Sequence, residues 1–277
     1  MPDEKGEELR IANCELRICC KRGCNSQFAI RNSQFFPLLP IALLLLVFHS
    51  ACIFPRGQRY RNFSTATPIP QGHILILGFM GGREPWNNDD RSVRKLAVKL
   101  RSMNDPGFCV ETVENKKRSL AIELILNAFD RDRDGKLDQG DRSSVRLILY
   151  GQSFGGAAVV KLARQLKKMG VPVGLTIQVD SIGRGDKMIP SNVARAANLF
   201  QRNGWFIRGE PEIRAEDPAS TTIIGNFEFD YRHQQIDISK VPFMKKAFRV
   251  AHTRMEYDPQ VWARVEEMIL DSINKLR

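Results

Sequence analysis

Residues 146–156 read Arg-Leu-Ile-Leu-Tyr-Gly-Gln-Ser-Phe-Gly-Gly. An apolar run ends at Gly151, one serine follows at Ser153, and the chain continues through Gly155 into a segment of small residues. In this G-x-S-x-G pattern, a serine lies on a tight turn between a buried strand and a helix. Glycines on either side of the serine leave room for the neighbouring backbone. The stretch predicts a reactive serine at the edge of a sheet, and the alternative is a glycine-rich turn without chemistry.

Short apolar runs alternate with amphipathic segments on both sides of this turn. The predicted strands are residues 73–77, 108–113, 146–150, 173–179 and 221–229, and the predicted helices are residues 90–103, 119–129, 157–169, 191–201 and 259–275. Strands that alternate with helices form a parallel sheet covered on both faces. The predicted fold class is therefore α/β.

The first residues carry two short repeats. Glu-Leu-Arg-Ile at 8–11 recurs at 15–18, and Asn-Ser-Gln-Phe at 25–28 recurs at 32–35. One codon choice for the first motif has a reverse complement that encodes the second, as in a translated inverted DNA repeat. We therefore predict that residues 1–34 are a non-functional extension or a mis-called start, and we exclude them from the fold.

Residues 35–54 form an apolar run of the length of a signal-peptide core. We predict an export signal or a membrane anchor, with the protein in the periplasm or at the cell surface; the alternative is a buried core helix. Cys52 ends a Ser-Ala-Cys sequence that resembles a bacterial lipoprotein signal and is the candidate lipidated residue. Residues 55–71 are predicted to be a linker, and residues 72–277 the globular domain.

Composition limits the classes of partner. The net charge is +11, which is compatible with association with an anionic membrane surface. No basic block interleaved with aromatic residues marks a nucleic-acid groove, so no nucleic-acid partner is predicted. Four of the six cysteines lie within residues 1–34 without paired metal-ligand spacing.

Residues 72–277 resemble the α/β-hydrolase superfamily, specifically its lipase-like and thioesterase-like bacterial members. The resemblance rests on the turn at Ser153, the glycine-containing loop at residues 78–82, and the chain order of serine, acid and histidine. It implies an α/β-hydrolase fold without an organic cofactor. It also implies that a small-molecule or lipid ester is the substrate.

A serine hydroxyl becomes a nucleophile when an imidazole that is oriented by a carboxylate takes its proton. His233 and His252 are the candidate bases, and His252 fits best because the resemblance places this residue just before the last helix. Asp180 ends a predicted strand and is the preferred acid. Asp230, after a later strand, is the alternative acid.

The resemblance also implies two N–H groups that bind the negatively charged oxygen of the reaction intermediate. Phe154, directly after the serine, supplies one. Phe79 is the expected second donor and Met80 its alternative, because Leu77 stands where the family often has histidine.

Residues 130–141 match the spacing of an EF-hand-like calcium loop, with acidic residues at positions 1, 3, 5, 9 and 12 and glycine at position 6. The expected ligands of a structural Ca²⁺ are Asp130, Asp132, Asp134, the carbonyl of Lys136, Asp138 and Asp141. Position 12 is aspartate rather than glutamate, and a strand rather than a helix is expected after the loop. The alternative is an acidic surface turn.

Together these features predict a serine hydrolase that cleaves a carboxylic ester or thioester through an acyl-enzyme. An acyltransferase with the same three residues is one alternative. A non-catalytic, calcium-stabilised surface-binding protein on the same scaffold is another. Residues 181–237 are expected to supply a lid and acyl pocket, lined by Trp205, Phe206 and Ile207.

Overall fold

The structure, a computed structural model, describes residues 57–205, 207–239, 241–242 and 250–277. The predicted extension at 1–34 and the apolar segment at 35–54, with Cys52, lie outside the described residues. Contacts within the chain group Pro55–Arg277 into one compact unit. In the part of the chain that the structure describes, no helix combines the length and apolar character needed to cross a membrane.

Strands and helices alternate along most of the unit. The strands are β1 (Ile74–Met80), β2 (Phe108–Glu114), β3 (Leu147–Gln152), β4 (Val173–Val179), β5 (Met188–Ile189), β6 (Val193–Phe200), β7 (Arg214–Ala215) and β8 (Thr222–Glu228). The helices are α1 (Ser92–Ser102), α2 (Arg118–Phe129), α3 (Gln139–Ser144), α4 (Phe154–Lys168), α5 (Val250–Tyr257) and α6 (Pro259–Leu276), preceded by a short 3₁₀ helix, Tyr60–Asn62.

A parallel sheet of six strands forms the centre, in the order β2-β1-β3-β4-β6-β8. Apolar residues of α2 and α4 pack on one face, and those of α1 and α6 pack on the other. The predicted α/β class, with a mostly parallel sheet covered by helices on both faces, is therefore confirmed. β1 lies between β2 and β3, so the chain order reverses between β1 and β3. In such sheets, ligands bind outside the carboxyl ends of the strands at this point of reversal.

The prediction of a helix at residues 191–201 is wrong, because this segment contains strand β6. Its alanines favour a helix intrinsically, but β6 pairs with β4 on one side and β8 on the other. Ala196 packs into one core cluster and the adjacent Ala197 into the other. Along a strand that is buried on both faces, apolar and polar residues do not alternate. In this segment, tertiary packing overrides the helix propensity.

Residues 57–71, predicted to be a linker, pack against the domain. Ile69 is fully buried, and its N–H donates to a carbonyl of α2 at 3.0 Å. One carboxylate oxygen of the buried Glu111 accepts four hydrogen bonds of 2.7–2.9 Å, from the N–H and hydroxyl groups of Ser64 and Thr65. The folded unit thus begins before the predicted boundary at residue 72.

Candidate active site

The predicted strand, turn and helix are present around Ser153. β3 ends at Gln152, α4 begins at Phe154, and Ser153 between them has φ 58° and ψ −123°. A Cβ atom on Gly155 would lie 2.1 Å from the carbonyl oxygen of Phe79. One on Gly151 would lie 2.5 Å from the backbone of Gly155. Both positions therefore require glycine, and the backbone strain at Ser153 is held in place by close packing.

Asp180 and His252 form a buried pair. Asp180 follows β4 and is fully buried, and its Oδ2 lies 2.6 Å from Nδ1 of His252. The carboxylate accepts, so Nδ1 carries the proton and the other ring nitrogen, Nε2, is left as an acceptor. His252 lies in the short helix α5, directly before the last helix, α6.

The Nε2 nitrogen of His252 reaches the turn that carries Ser153. It lies 3.3 Å from the side-chain nitrogen of Gln152, the residue before the serine. Among the hydrogen bonds of the described residues, none involves Oγ of Ser153. The structure thus brings Asp180 and His252 into contact, and it places the acceptor nitrogen against the side chain of Gln152, the residue that precedes the serine.

Gln201 fixes the Asp180 carboxylate. The backbone N–H of Gln201 donates to Oδ1 at 3.3 Å, and its side-chain amide donates to Oδ2 at 3.0 Å. The amide oxygen of Gln201 accepts the N–H of Gly204 at 2.8 Å, which fixes the orientation of the side chain. Sequence reasoning missed this residue. The available signal was its place directly after a strand, at the same sheet edge as Asp180, but that strand was predicted to be a helix.

The alternative candidates lie away from this pair. Asp230 is 41% exposed and bound to Arg232, whose guanidinium lowers the pKa of Asp230. His233 is exposed. The geometry therefore favours Asp180 as the acid and His252 as the base.

The turn after β1 presents Gly81, rather than Phe79 or Met80, to the serine. The N–H of Leu75 donates toward β3 at 2.9 Å, and that of Ile74 donates toward β2 at 3.1 Å. Successive backbone N–H groups point to opposite sides of a strand. The N–H group of Phe79 therefore faces β3, and that of Met80 faces β2. Phe79 and Met80 still pair in the sheet, whereas Gly81 lies beyond it.

Asn115 holds this turn. Its side-chain amide donates to the carbonyl of Met80 at 2.9 Å and to that of Gly82 at 2.6 Å. Because C=O and N–H point in opposite directions across a trans peptide, the N–H of Gly81 points away from Asn115. A Cβ atom on Gly81 would lie 3.4 Å from Cβ of Ser153. Within the described residues, no recorded hydrogen bond uses this N–H group.

Phe154 supplies a second candidate donor. It is the first residue of α4, where N–H groups have no partner within the helix. The helix macrodipole adds partial positive charge at this end. The N–H groups of Phe154 and Gly81 thus flank Ser153 and are suited to stabilise a negatively charged oxygen. The Phe154 side chain is 51% exposed.

The region expected to supply a lid contributes two strands to the central sheet. Residues 181–237 contain β6 and β8 of the central sheet and the small parallel pair of β5 and β7. Trp205 is 79% exposed, Ile207 is partly buried, and Phe206 lies outside the described residues.

The acidic loop at residues 130–141 joins α2 to α3. Carboxylate oxygens of Asp130, Asp132 and Asp134 lie within 4.8 Å of one another. Asp130 accepts the N–H groups of Arg133 and Gly135 at 2.8 Å each, and Gly135 has φ 83°. The three carboxylates at positions 1, 3 and 5 are thus gathered on one side of the loop.

A helix follows this loop, so the expectation of a strand directly after it is wrong. Asp138 is the N-cap of α3 and accepts the N–H of Asp141 at 2.8 Å. The backbone N–H of Arg131, near the start of the loop, donates to Oδ1 of Asp141 at 3.4 Å. Lys136 is exposed, and its N–H donates to Asp134 at 2.8 Å. The carboxylates of Asp138 and Asp141 are engaged in capping.

Comparisons with known proteins do not assign the chain to a family. No protein-family model matches the sequence, and a search of curated proteins found no match. The function is therefore inferred from the geometry of the site.

Proposed function

We propose that this chain is a serine hydrolase of the α/β-hydrolase type, which cleaves a carboxylic ester or thioester through an acyl-enzyme. The observation that carries the proposal is the buried contact of 2.6 Å between Asp180 and His252, together with the approach of the second ring nitrogen to Gln152, the residue before Ser153. An imidazole held in one tautomer next to a strained serine is suited to general-base catalysis.

In the proposed reaction, Oγ of Ser153 attacks the carbonyl carbon while Nε2 of His252 takes the hydroxyl proton. The carbonyl oxygen becomes an oxyanion that the N–H groups of Phe154 and Gly81 bind. The intermediate collapses, and His252 gives the proton to the departing alcohol or thiol. Water then repeats the attack on the acyl-enzyme and releases the acid.

The Gln152 amide has to leave His252 before the first step. It now lies 3.3 Å from the Nε2 nitrogen that must face the serine. A rotation of the Gln152 side chain frees this nitrogen without a change in the backbone. Catalytic hydrogen bonds of this kind often tighten only when substrate is bound.

A panel of chromogenic esters of increasing acyl length tests the proposal. Wild-type protein should hydrolyse at least one ester, and Ser153→Ala should reduce kcat by about 1,000-fold or more, as expected when the nucleophile is removed. Ser102→Ala, at the exposed end of α1, is the matched control and should retain activity. Equal rates for wild type and Ser153→Ala would refute the proposal.

We also propose that the loop at residues 130–141 binds a structural Ca²⁺. The support is the approach of Asp130, Asp132 and Asp134 within 4.8 Å, because clustered carboxylate oxygens suit a hard divalent cation. Asp138, Asp141 and the carbonyl of Lys136 are the further proposed ligands, and Asp138 and Asp141 would have to reorient from their capping contacts. The loop leads through α3 into β3, so the ion would support the strand that carries Ser153.

A further inference from the structure

A largely buried ion cluster joins the two sides of the candidate site. Nη1 of Arg91 lies 2.9 and 2.8 Å from the two carboxylate oxygens of Glu256. Nη2 of the same guanidinium pairs with Glu84. The side-chain amide of Asn88 holds the other oxygen of Glu84 at 2.8 Å. One arginine thus bridges two carboxylates from distant parts of the chain.

Burial makes this cluster sensitive to the loss of a member. The side chains of Arg91, Glu84 and Glu256 are 11%, 19% and 12% exposed. Burial opposes the charge of Arg91, but Glu256 and Glu84 together raise the pKa of Arg91. Burial raises the pKa of Glu256, and the attraction of Arg91 opposes this shift. Removing the arginine would leave two carboxylates in one poorly solvated site.

The two carboxylates belong to segments with different proposed roles. Glu84 lies three residues after Gly81, and its N–H donates to the Gly81 carbonyl at 3.2 Å. Glu256 lies one turn after His252 on the same helix, α5. Arg91 is the N-cap of α1 and stands between them. The cluster is therefore a direct connection between the turn with the proposed oxyanion donor and the helix with the proposed base.

We propose that Arg91 is a positioning residue that fixes the Gly81 turn relative to the His252 helix. The expected effect of Arg91 on the rate of ester hydrolysis rests on the proposed hydrolase function. The guanidinium suits this role because its planar fork binds two carboxylates at once, which a lysine ammonium cannot do with the same geometry. Misplacement of catalytic groups by about 1 Å is enough to slow a reaction strongly.

Hydrogen exchange in the full-length protein tests the connection independently of activity. Glu256→Met removes the α5 partner and should increase exchange in peptides covering residues 81–91. There, the N–H groups of Glu84, Asn88 and Arg91 are hydrogen-bonded. Peptides from β4 should not change. Glu266→Met is the matched control, because Glu266 pairs with Lys99 of α1 at 2.6 Å without touching this turn. An increase confined to α5 would overturn the proposed connection.

Ester hydrolysis then separates positioning from a merely structural role. Arg91→Met should reduce kcat by about 100-fold and leave KM within about threefold. Arg91→Lys should recover part of the rate because it keeps the charge. Lys99→Met should match the wild type. An unchanged kcat, or an effect on KM alone, would overturn the role in positioning.

The two experiments also distinguish this inference from the proposed function. If wild-type protein neither hydrolyses esters nor reacts at Ser153, the hydrolase proposal fails and so does the effect on rate. The exchange measurement still decides whether Arg91 connects the two segments.

Discussion

Ser153 and Asp180 share an unusual backbone conformation. Their φ angles are 58° and 44°, in the region that side chains with a Cβ atom rarely adopt. In the described residues, the other non-glycine positions with positive φ are Asn104 and Arg133. Strained residues cost about 1–3 kcal/mol each and persist where packing enforces them. Two of these four positions therefore hold the proposed nucleophile and the acid that orients its base.

Replacement of Asn115 tests how the Gly81 turn is held. Asn115→Leu removes both amide contacts with the turn, and we expect kcat for ester hydrolysis to fall about 100-fold, as for loss of one oxyanion donor. Asn192→Leu is the control, because Asn192 bridges two backbone carbonyls at 3.1 and 2.8 Å away from the serine turn. Equal kcat values for the two variants would contradict the assigned role of Asn115.

The sequence was sufficient to predict the residues with a local signal in the candidate site. Ser153 is marked by flanking glycines, and Asp180 by its place after an apolar strand. His252 was selected through a family resemblance. Asn115 acts through contacts with a segment distant in sequence, so no local pattern marks it. Gln201 was missed because the strand directly before it was predicted to be a helix. Gly81 was missed because the end of β1 was placed before Gly78 rather than after Met80.

At the scale of elements, most strands of the central sheet were predicted, whereas β5, β6 and β7 were not. β1 to β4 and β8 each overlap the predicted strand. β6 contains three alanines, an arginine and an asparagine, and only its neighbours β4 and β8 determine that it is extended. The short strands β5 and β7 have two residues each, which is too few for a periodic signal.

The loop between α2 and α3 supports a prediction about calcium. Ca²⁺ at about 100 times its dissociation constant should stabilise the fold by about 2.7 kcal/mol and raise Tm by several degrees. Thermal unfolding with excess Ca²⁺ or with chelator measures this difference. Asp132→Asn combined with Asp134→Asn should abolish it, and Mg²⁺ at equal concentration is the control. Identical Tm values with Ca²⁺ and chelator in the wild type would contradict the proposed site.

At the scale of the molecule, the segment at residues 57–71 belongs to the fold. It reaches from the contacts of Ser64 and Thr65 with Glu111, in the middle of β2, to the buried Ile69, which contacts the C-terminal end of α2. Its prolines and polar residues are typical of a linker, so the sequence predicted a tether. The burial depends on tertiary partners that composition does not reveal.

Ile69→Ala measures the contribution of this segment. Because Ile69 is fully buried, the substitution should lower the free energy of unfolding by about 3 kcal/mol. Val98→Ala, at an α1 position that is 44% exposed, should change it by less than about 0.5 kcal/mol. Urea unfolding of both variants gives the comparison. A loss of stability at Ile69 no larger than at Val98 would show that the segment is not part of the core.

In the proposed reaction, Ser153 is a nucleophile activated by His252 and Asp180. The most direct measurement is reaction of the folded protein with a fluorophosphonate probe, followed by mass spectrometry of its peptides. We predict one adduct on the peptide that contains Ser153, none in Ser153→Ala, and labelling slowed by about 100-fold or more in His252→Ala. A folded wild-type protein that stays unlabelled, an adduct on another residue, or equal labelling rates in wild type and His252→Ala would contradict it.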